Sequence, residues 1–206
     1  MNKNKLLKYS LLIILLCIFI SLLLLINNGY MTKFDNYVYR IIFKLYSPFS
    51  TSFFKIITFF GSTLFIVLLV ILLLIVWKKS RGGLKLGIVV VVSTIVNNLV
   101  KVIIRRPRPQ VLRLVEENTF SFPSGHTMAV TTVVGFLIYY IWSYKKKLSK
   151  NKKIIYTSLL VLYDLLVIIS RVYLGAHFAS DVIGGVICSV IVLVITIPIV
   201  EKLIKN

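Results

Sequence analysis

Residues 84–109 read LKLGIVVVVSTIVNNLVKVIIRRPRP, an apolar run of helix length that closes on Lys101, Arg105, Arg106 and Arg108 with Pro107 and Pro109 between them. A helix needs roughly 20 apolar residues to cross the hydrocarbon of a bilayer. Here the run from 84 to 104 meets that length, and the prolines stop it. Working outward, five more runs of the same kind occur, near 9–28, 55–77, 125–143, 154–172 and 178–200. The sequence therefore predicts an all-α, polytopic membrane protein with six transmembrane helices. Between the first two runs, Phe34, Val38, Ile41, Ile42 and Leu45 repeat at helical spacing with charges between them. That pattern predicts that segment 32–54 is not a seventh span but carries an amphipathic helix lying on the outer surface, with Thr32 and Asp35 capping its start and Pro48 ending it.

The composition agrees. The chain is 206 residues long, 58% hydrophobic and carries a formal charge of +19. A soluble domain of this length cannot hide so much apolar surface, whereas lipid solvates it. The basic residues sit in short clusters between apolar runs, which reads as membrane anchoring and excludes nucleic acid as the partner. Six spans put both termini on one side. That side then holds Lys3, Lys5, Lys8, Lys78, Lys79, Arg81, Lys85, Lys145, Lys146, Lys147, Lys150, Lys152, Lys153, Lys202 and Lys205, fifteen of the 25 basic residues, and is assigned to the cytoplasm. The first run lacks an Ala-x-Ala cleavage site and is taken as an uncleaved span. Cys17 and Cys188 lie in apolar runs and give no zinc spacing, so no metal is expected. No linker divides the chain, and residues 1–206 read as one domain.

Three polar segments do not fit an anchoring role. Lys101 to Arg108 places four cations at the outer boundary, against the positive-inside trend, and offers guanidinium forks suited to phosphate oxygens. Phe122-Pro123-Ser124-Gly125-His126 opens the fourth span at the same face. A helix start presents free N–H groups to an anion, Gly125 allows close backbone approach, Ser124 has a hydroxyl to donate, and His126 projects beside the bound group. Ser170-Arg171 and His177-Phe-Ala-Ser-Asp181 link the fifth span to the sixth. His177 and Asp181, four residues apart, share a helix face, so the carboxylate can fix the imidazole tautomer and leave the second nitrogen free to attack. These are the two histidines of the chain. Charge-derived topology sends both to one membrane face with Lys101, Arg108 and Arg171, a set that describes phosphoryl transfer.

The same segments resemble the signature of the type-2 phosphatidic-acid phosphatase superfamily. Lys101 through Arg108-Pro109 matches its Lys, six residues, Arg-Pro motif; Pro123 to His126 matches Pro-Ser-Gly-His; Ser170-Arg171, His177 and Asp181 match the third. The motif-bearing core is about 84–200. The resemblance implies a metal-independent phosphatase with no cofactor. In it His177 attacks phosphorus, Asp181 supports His177, and His126 protonates the leaving oxygen. Lys101, Arg108, Ser124, Gly125 and Arg171 bind the phosphate. The surrounding positive charge is expected to lower both histidine pKa values. Arg105, Arg106 and Arg113 are read as anion-attracting or lipid-facing charges. Glu116 and Glu117 are read as a solvated loop, Asp164 as bonded to another helix near Asn97 or Asn98, and Gly61 and Ser62 as a close-packing point of the second span.

A site at interface depth suits a lipid phosphate held in the bilayer: phosphatidic acid, phosphatidylglycerol phosphate or undecaprenyl pyrophosphate. Three alternatives have different chemistry: a phosphatase of soluble esters, a vanadate-dependent haloperoxidase, and a lipid-phosphate binding protein or transporter without turnover.

Overall fold

A computed structural model describes residues 3–204, which form eight helices and no strand. They run α1 Lys3–Asn27, α2 Met31–Phe43, α3 Pro48–Phe59, α4 Thr63–Val76, α5 Gly82–Ile104, α6 Gly125–Tyr144, α7 Lys150–Tyr173 and α8 Ala179–Leu203. Lys205 and the side chains of Lys3 and Lys5, counted above as inner-face charges, lie outside what is described. Helices α1, α5, α6, α7 and α8 are each long and apolar enough to cross a membrane, and α3 with α4 passes the same test as a pair bent by 45°. The chain is a multi-pass membrane protein.

The second span is thus broken where an unbroken helix was expected. Ser62 caps α4 by accepting the N–H of Phe65 at 3.3 Å, which starts a new helix direction. Gly61 lets this corner press into the bundle. A Cβ there would sit 2.8 Å from Val167 on α7 and 3.2 Å from Val130 on α6.

The amphipathic segment between the first two spans is likewise two helices. The 32–54 helix stops at Phe43, and Pro48 begins α3 instead of ending α2. Proline suits that first helical position because its missing N–H has no partner there, and Ser47 caps it by accepting Ser50 N–H at 3.0 Å. Thr32 and Asp35 do not cap α2, whose start carries no side-chain cap bond. Asp35 is buried and bonded to residues far along the chain, which removes it from any local role.

Helix α6 stands in the middle, packed by α5, α7 and α8, while α1 lies against α8. Val89 of α5, Val130, Val134 and Phe136 of α6, Val167 of α7 and Val192 of α8 meet in the core. Hydrogen bonds between spans, such as Ser93 to Thr132 at 2.8 Å, add less than about 1 kcal/mol each in a membrane, so shape carries most of the packing. Asp164 accepts from Thr131 at 2.9 Å, not from Asn97 or Asn98, because it faces α6 rather than α5. Lys85, expected among exposed anchors, is buried against Glu201 at 2.8 Å and Tyr144 at 3.0 Å.

At the opposite end, α5 and α7 finish and α6 and α8 begin. Gly175 turns the chain from α7 to α8 at φ 67°, where a Cβ would strike the Leu112 carbonyl at 2.5 Å. Helix α2 packs over the meeting of α7 and α8, and residues 105–124 form an irregular loop beside it. A helix-free loop of such length usually serves a site.

Candidate active site

Four helix ends and this loop surround a cavity of about 370 Å³ lined by Lys101, Arg108, Glu117, Gly125, His126 and His177. The cavity runs on between α4 and α5, where Ile66, Val67, Val90 and Met128 give it apolar walls and Ser93, Thr94 and Asn97 polar ones. Lys101 sits in the last turn of α5 and donates to the Phe120 carbonyl. Arg108 donates to the carbonyls of Thr119 and Ala176, each at 2.7 Å, and so straps the loop to the α7–α8 turn. Partial burial pulls its pKa down, opposed by the carboxylates of Glu117 and Asp181.

His177 is 3% exposed. Its Nδ1 lies 3.6 Å from Asp181 Oδ2 and 3.4 Å from Ser121 Oγ, while its Nε2 lies 3.3 Å from Arg108 Nη1. These partners favour a proton on Nδ1 and an unprotonated Nε2 that accepts from Arg108. The His177 pKa is lowered to about 4. Burial is the main cause; Arg171 and Arg108 lower it further, and Asp181 opposes them. Positive charge, the cause expected from sequence, is secondary.

The remaining expected residues occupy different positions. His126 follows Gly125 at the first turn of α6, with Nδ1 3.9 Å from Glu117. Arg171 is buried off the cavity lining, donating to Thr58 Oγ1 at 2.6 Å and to Glu117 Oε1, through which it touches the group. Asp181 stands behind His177, away from the cavity lining. Ser124 is fully buried and caps α6, accepting the Thr127 hydroxyl at 3.0 Å, and it does not line the cavity.

Three residues were missed or misread. Glu117 is no solvated loop residue; it pairs with Arg171, with Arg108 at 3.6 Å and with His126. Arg106 faces protein rather than lipid, bound to Asp35 at 2.8 Å and Asp181 at 2.5 Å. Ser121 donates to Asp181 Oδ2. Arg105, Arg113 and Glu116 remain exposed. Two prolines beside Arg106 and the break of sidedness marked this segment, but nothing local distinguishes Arg106 from Arg105.

Residues 82–205 match the PAP2 superfamily. The chain belongs to that family. Among PAP2 relatives, phosphatidylglycerophosphatase B of Bacillus subtilis is 41% identical over 109 residues, 53% of this chain and 53% of that protein. The undecaprenyl-diphosphatase BcrC of the same organism is 27% identical over 111 residues, 52% of this chain and 51% of its own length. Each match thus spans about half the length of the curated relative. The crystal structure of the transmembrane PAP2-type phosphatidylglycerolphosphate phosphatase from Bacillus subtilis superposes with a TM-score of 0.84 at 28% identity, covering 94% of this chain and 98% of that one. The PAP2 match begins at α5, so α1 to α4 and Asp35 fall outside it.

Proposed function

We propose that this chain is a membrane-embedded lipid phosphatase that works through a phosphohistidine. The observation that carries the reading is His177. Its Nδ1 side is backed by Asp181, and its Nε2 side opens, beside Arg108, on a cavity shared with His126 and Lys101. In the first step the Nε2 lone pair attacks phosphorus in line. The P–O ester bond breaks, its electron pair leaves on the ester oxygen, and that oxygen takes a proton from His126. In the second step His126 accepts a proton from water as the water oxygen bonds to phosphorus. The P–N bond then breaks, and its electrons return to Nε2. Lys101, Arg108, Arg171 and the N–H groups at the α6 start stabilise the charge on the non-bridging oxygens. Ser124 serves as the cap that holds those N–H groups in place.

The substrate is a lipid because the cavity continues between two spans with apolar walls. Phosphatidylglycerol phosphate is the first choice, since the 41% identical relative and the superposed structure both bear that name. A polyprenyl diphosphate is the second, supported by the name of the 27% identical relative. The distribution of lysine and arginine supports cytoplasmic termini and an extracellular site in the cell membrane.

The test is phosphate release by purified protein in detergent with chelator present. It compares phosphatidylglycerol phosphate, phosphatidic acid, undecaprenyl pyrophosphate and a short water-soluble phosphate ester, each also with His177→Ala. Release from the long-chain lipids that vanishes in the variant supports the reading. Release that persists in the variant refutes the nucleophile, and preference for the soluble ester refutes the lipid. Labelling of cysteines placed beside His126 and His177 tests the sidedness, which fails if the two are reached from opposite faces.

A further inference from the structure

Asp35 is left unused by this chemistry, although it is 2% exposed and lies on α2, outside the residues that match the family. A carboxylate is costly to bury unless it is paired and hydrogen-bonded. Asp35 is both. Its Oδ1 accepts the Ser180 N–H at 2.8 Å, and its Oδ2 accepts the Ser180 hydroxyl at 2.7 Å and Arg106 Nη2 at 2.8 Å.

Arg106 carries this contact onward. Its Nη1 donates to Asp181 Oδ1 at 2.5 Å and to Ser180 Oγ at 2.8 Å, and its guanidinium lies 4.2 Å from the Phe178 ring centre. The planar fork is therefore fixed at both prongs, one on each aspartate. The two oxygens of Asp181 are divided as a result. Oδ1 goes to Arg106. Oδ2 accepts the Phe178 N–H at 2.9 Å and the Ser121 hydroxyl, and faces His177 Nδ1. A carboxylate turns easily about its last bond. With Oδ1 bound, Oδ2 stays toward the imidazole.

We infer that Asp35 and Arg106 are positioning residues: their bridge locks the Asp181 carboxylate in the rotation that holds His177 for attack. Helix α2 thereby becomes part of the site. The inference rests on the reading of His177 as the nucleophile.

The experiment uses the full chain in detergent, with a long-chain lipid phosphate as substrate and a thermal midpoint measured for every variant. In Asp35→Asn, kcat per folded molecule is expected to fall at least about tenfold, with KM within about twofold, because neither residue touches substrate. Arg106→Lys gives the same pattern, since a single ammonium does not span both carboxylates, and it serves in place of Asp35→Asn if that variant does not fold. In an Asp181→Asn background, adding either change alters kcat by less than about twofold, because the carboxylate they orient is gone. Lower midpoints with unchanged kcat, or losses that multiply in the double variants, mean that the bridge only docks α2. Either result overturns the inference and leaves the phosphatase reading intact. Wild-type protein that releases no phosphate from any of the lipids overturns both.

Discussion

At the end of the bundle where α5 begins, inner on the proposed topology, Lys85 closes on Glu201 and Tyr144; at the other, outer end, Lys101, Arg106, Arg108 and Arg171 share Asp35, Asp181 and Glu117. Each cluster mixes buried groups, such as Lys85, Arg171 and Asp181, with half-buried ones, such as Glu201 and Glu117, and both join helices distant in sequence. They differ in charge balance. Among the described residues the inner cluster pairs the Lys85 ammonium with the Glu201 carboxylate. The outer one sets four cations, Lys101, Arg106, Arg108 and Arg171, against the three carboxylates of Asp35, Asp181 and Glu117, so one positive charge is in excess among these residues, and Glu117 is the carboxylate that pairs with Arg108 and Arg171. An excess of positive charge held among helix ends is unfavourable on its own, and on the proposed function a phosphate group would supply the missing charge. The inner cluster ties α5 to α6 and α8; the outer one, on the proposed function, is where a phosphate binds. Burial of charge alone would not tell them apart.

The largest expected effect is the loss of His177. In His177→Gln, turnover of a lipid phosphate falls by at least about 10³-fold while the thermal midpoint stays near wild type. A matched Glu201→Gln should do the opposite. If Glu201→Gln abolished turnover in folded protein, the division between the two ends would collapse.

Acidity gives the next effect. On the proposed mechanism His177 attacks as the neutral base, and its pKa is lowered to about 4. Its lone pair is therefore available through neutral pH and is lost as pH falls through about 4. Below that point kcat/KM should drop about tenfold per unit. Asp181 raises this pKa, so Asp181→Asn should move the acid limb to lower pH, besides lowering the rate. A limb that moves to higher pH contradicts the arrangement.

Glu117 sharpens the comparison at the outer end. It holds Arg171 and lies near Arg108, the guanidiniums that a phosphate would engage. Glu117→Gln removes a competing negative charge. Inhibition by inorganic phosphate should tighten by roughly five- to tenfold. Unchanged or weaker inhibition would mean that the carboxylate orders the arginines and does not compete with the ligand.

The sequence made the spans legible because hydropathy is a local property, and it made the family motifs legible because their spacing is. Five of the six runs became single helices near their expected bounds. The bend at Phe60–Ser62 was not legible, since it depends on how closely Gly61 meets Val167 and Val130. Partners of charges were the least legible. Asp35 and Arg106 are 71 residues apart, and Lys85 and Glu201 are 116 apart, so no periodicity links them. Asp35 looked like a helix cap and Lys85 like a membrane anchor because those are the common local uses of such residues. Glu117 looked solvated because it lies in a loop; its partner Arg171 is fixed by α7. The role of Ser124 turned on rotation about one bond, toward Thr127 instead of the cavity.

Two smaller effects test the inner end and the middle. Lys85→Met leaves Glu201 without its ammonium, which costs on the order of 2 kcal/mol, less than for a fully buried pair because the Glu201 side chain is 23% exposed. The thermal midpoint should fall by about 5 °C, with kcat per folded molecule within about twofold. The smallest effect belongs to Asp164, which lies in neither cluster and accepts from Thr131 at 2.9 Å between α7 and α6. Asn in its place keeps an oxygen for the same hydroxyl. Hydrogen bonds between membrane helices average about 0.6 kcal/mol, so Asp164→Asn should shift the midpoint by no more than about 2 °C and leave turnover unchanged. A large loss of turnover would show that the carboxylate charge itself matters at that depth. The excess of positive charge at the outer end would then be balanced partly from within the membrane, and Asp164 would have to be counted with Glu117.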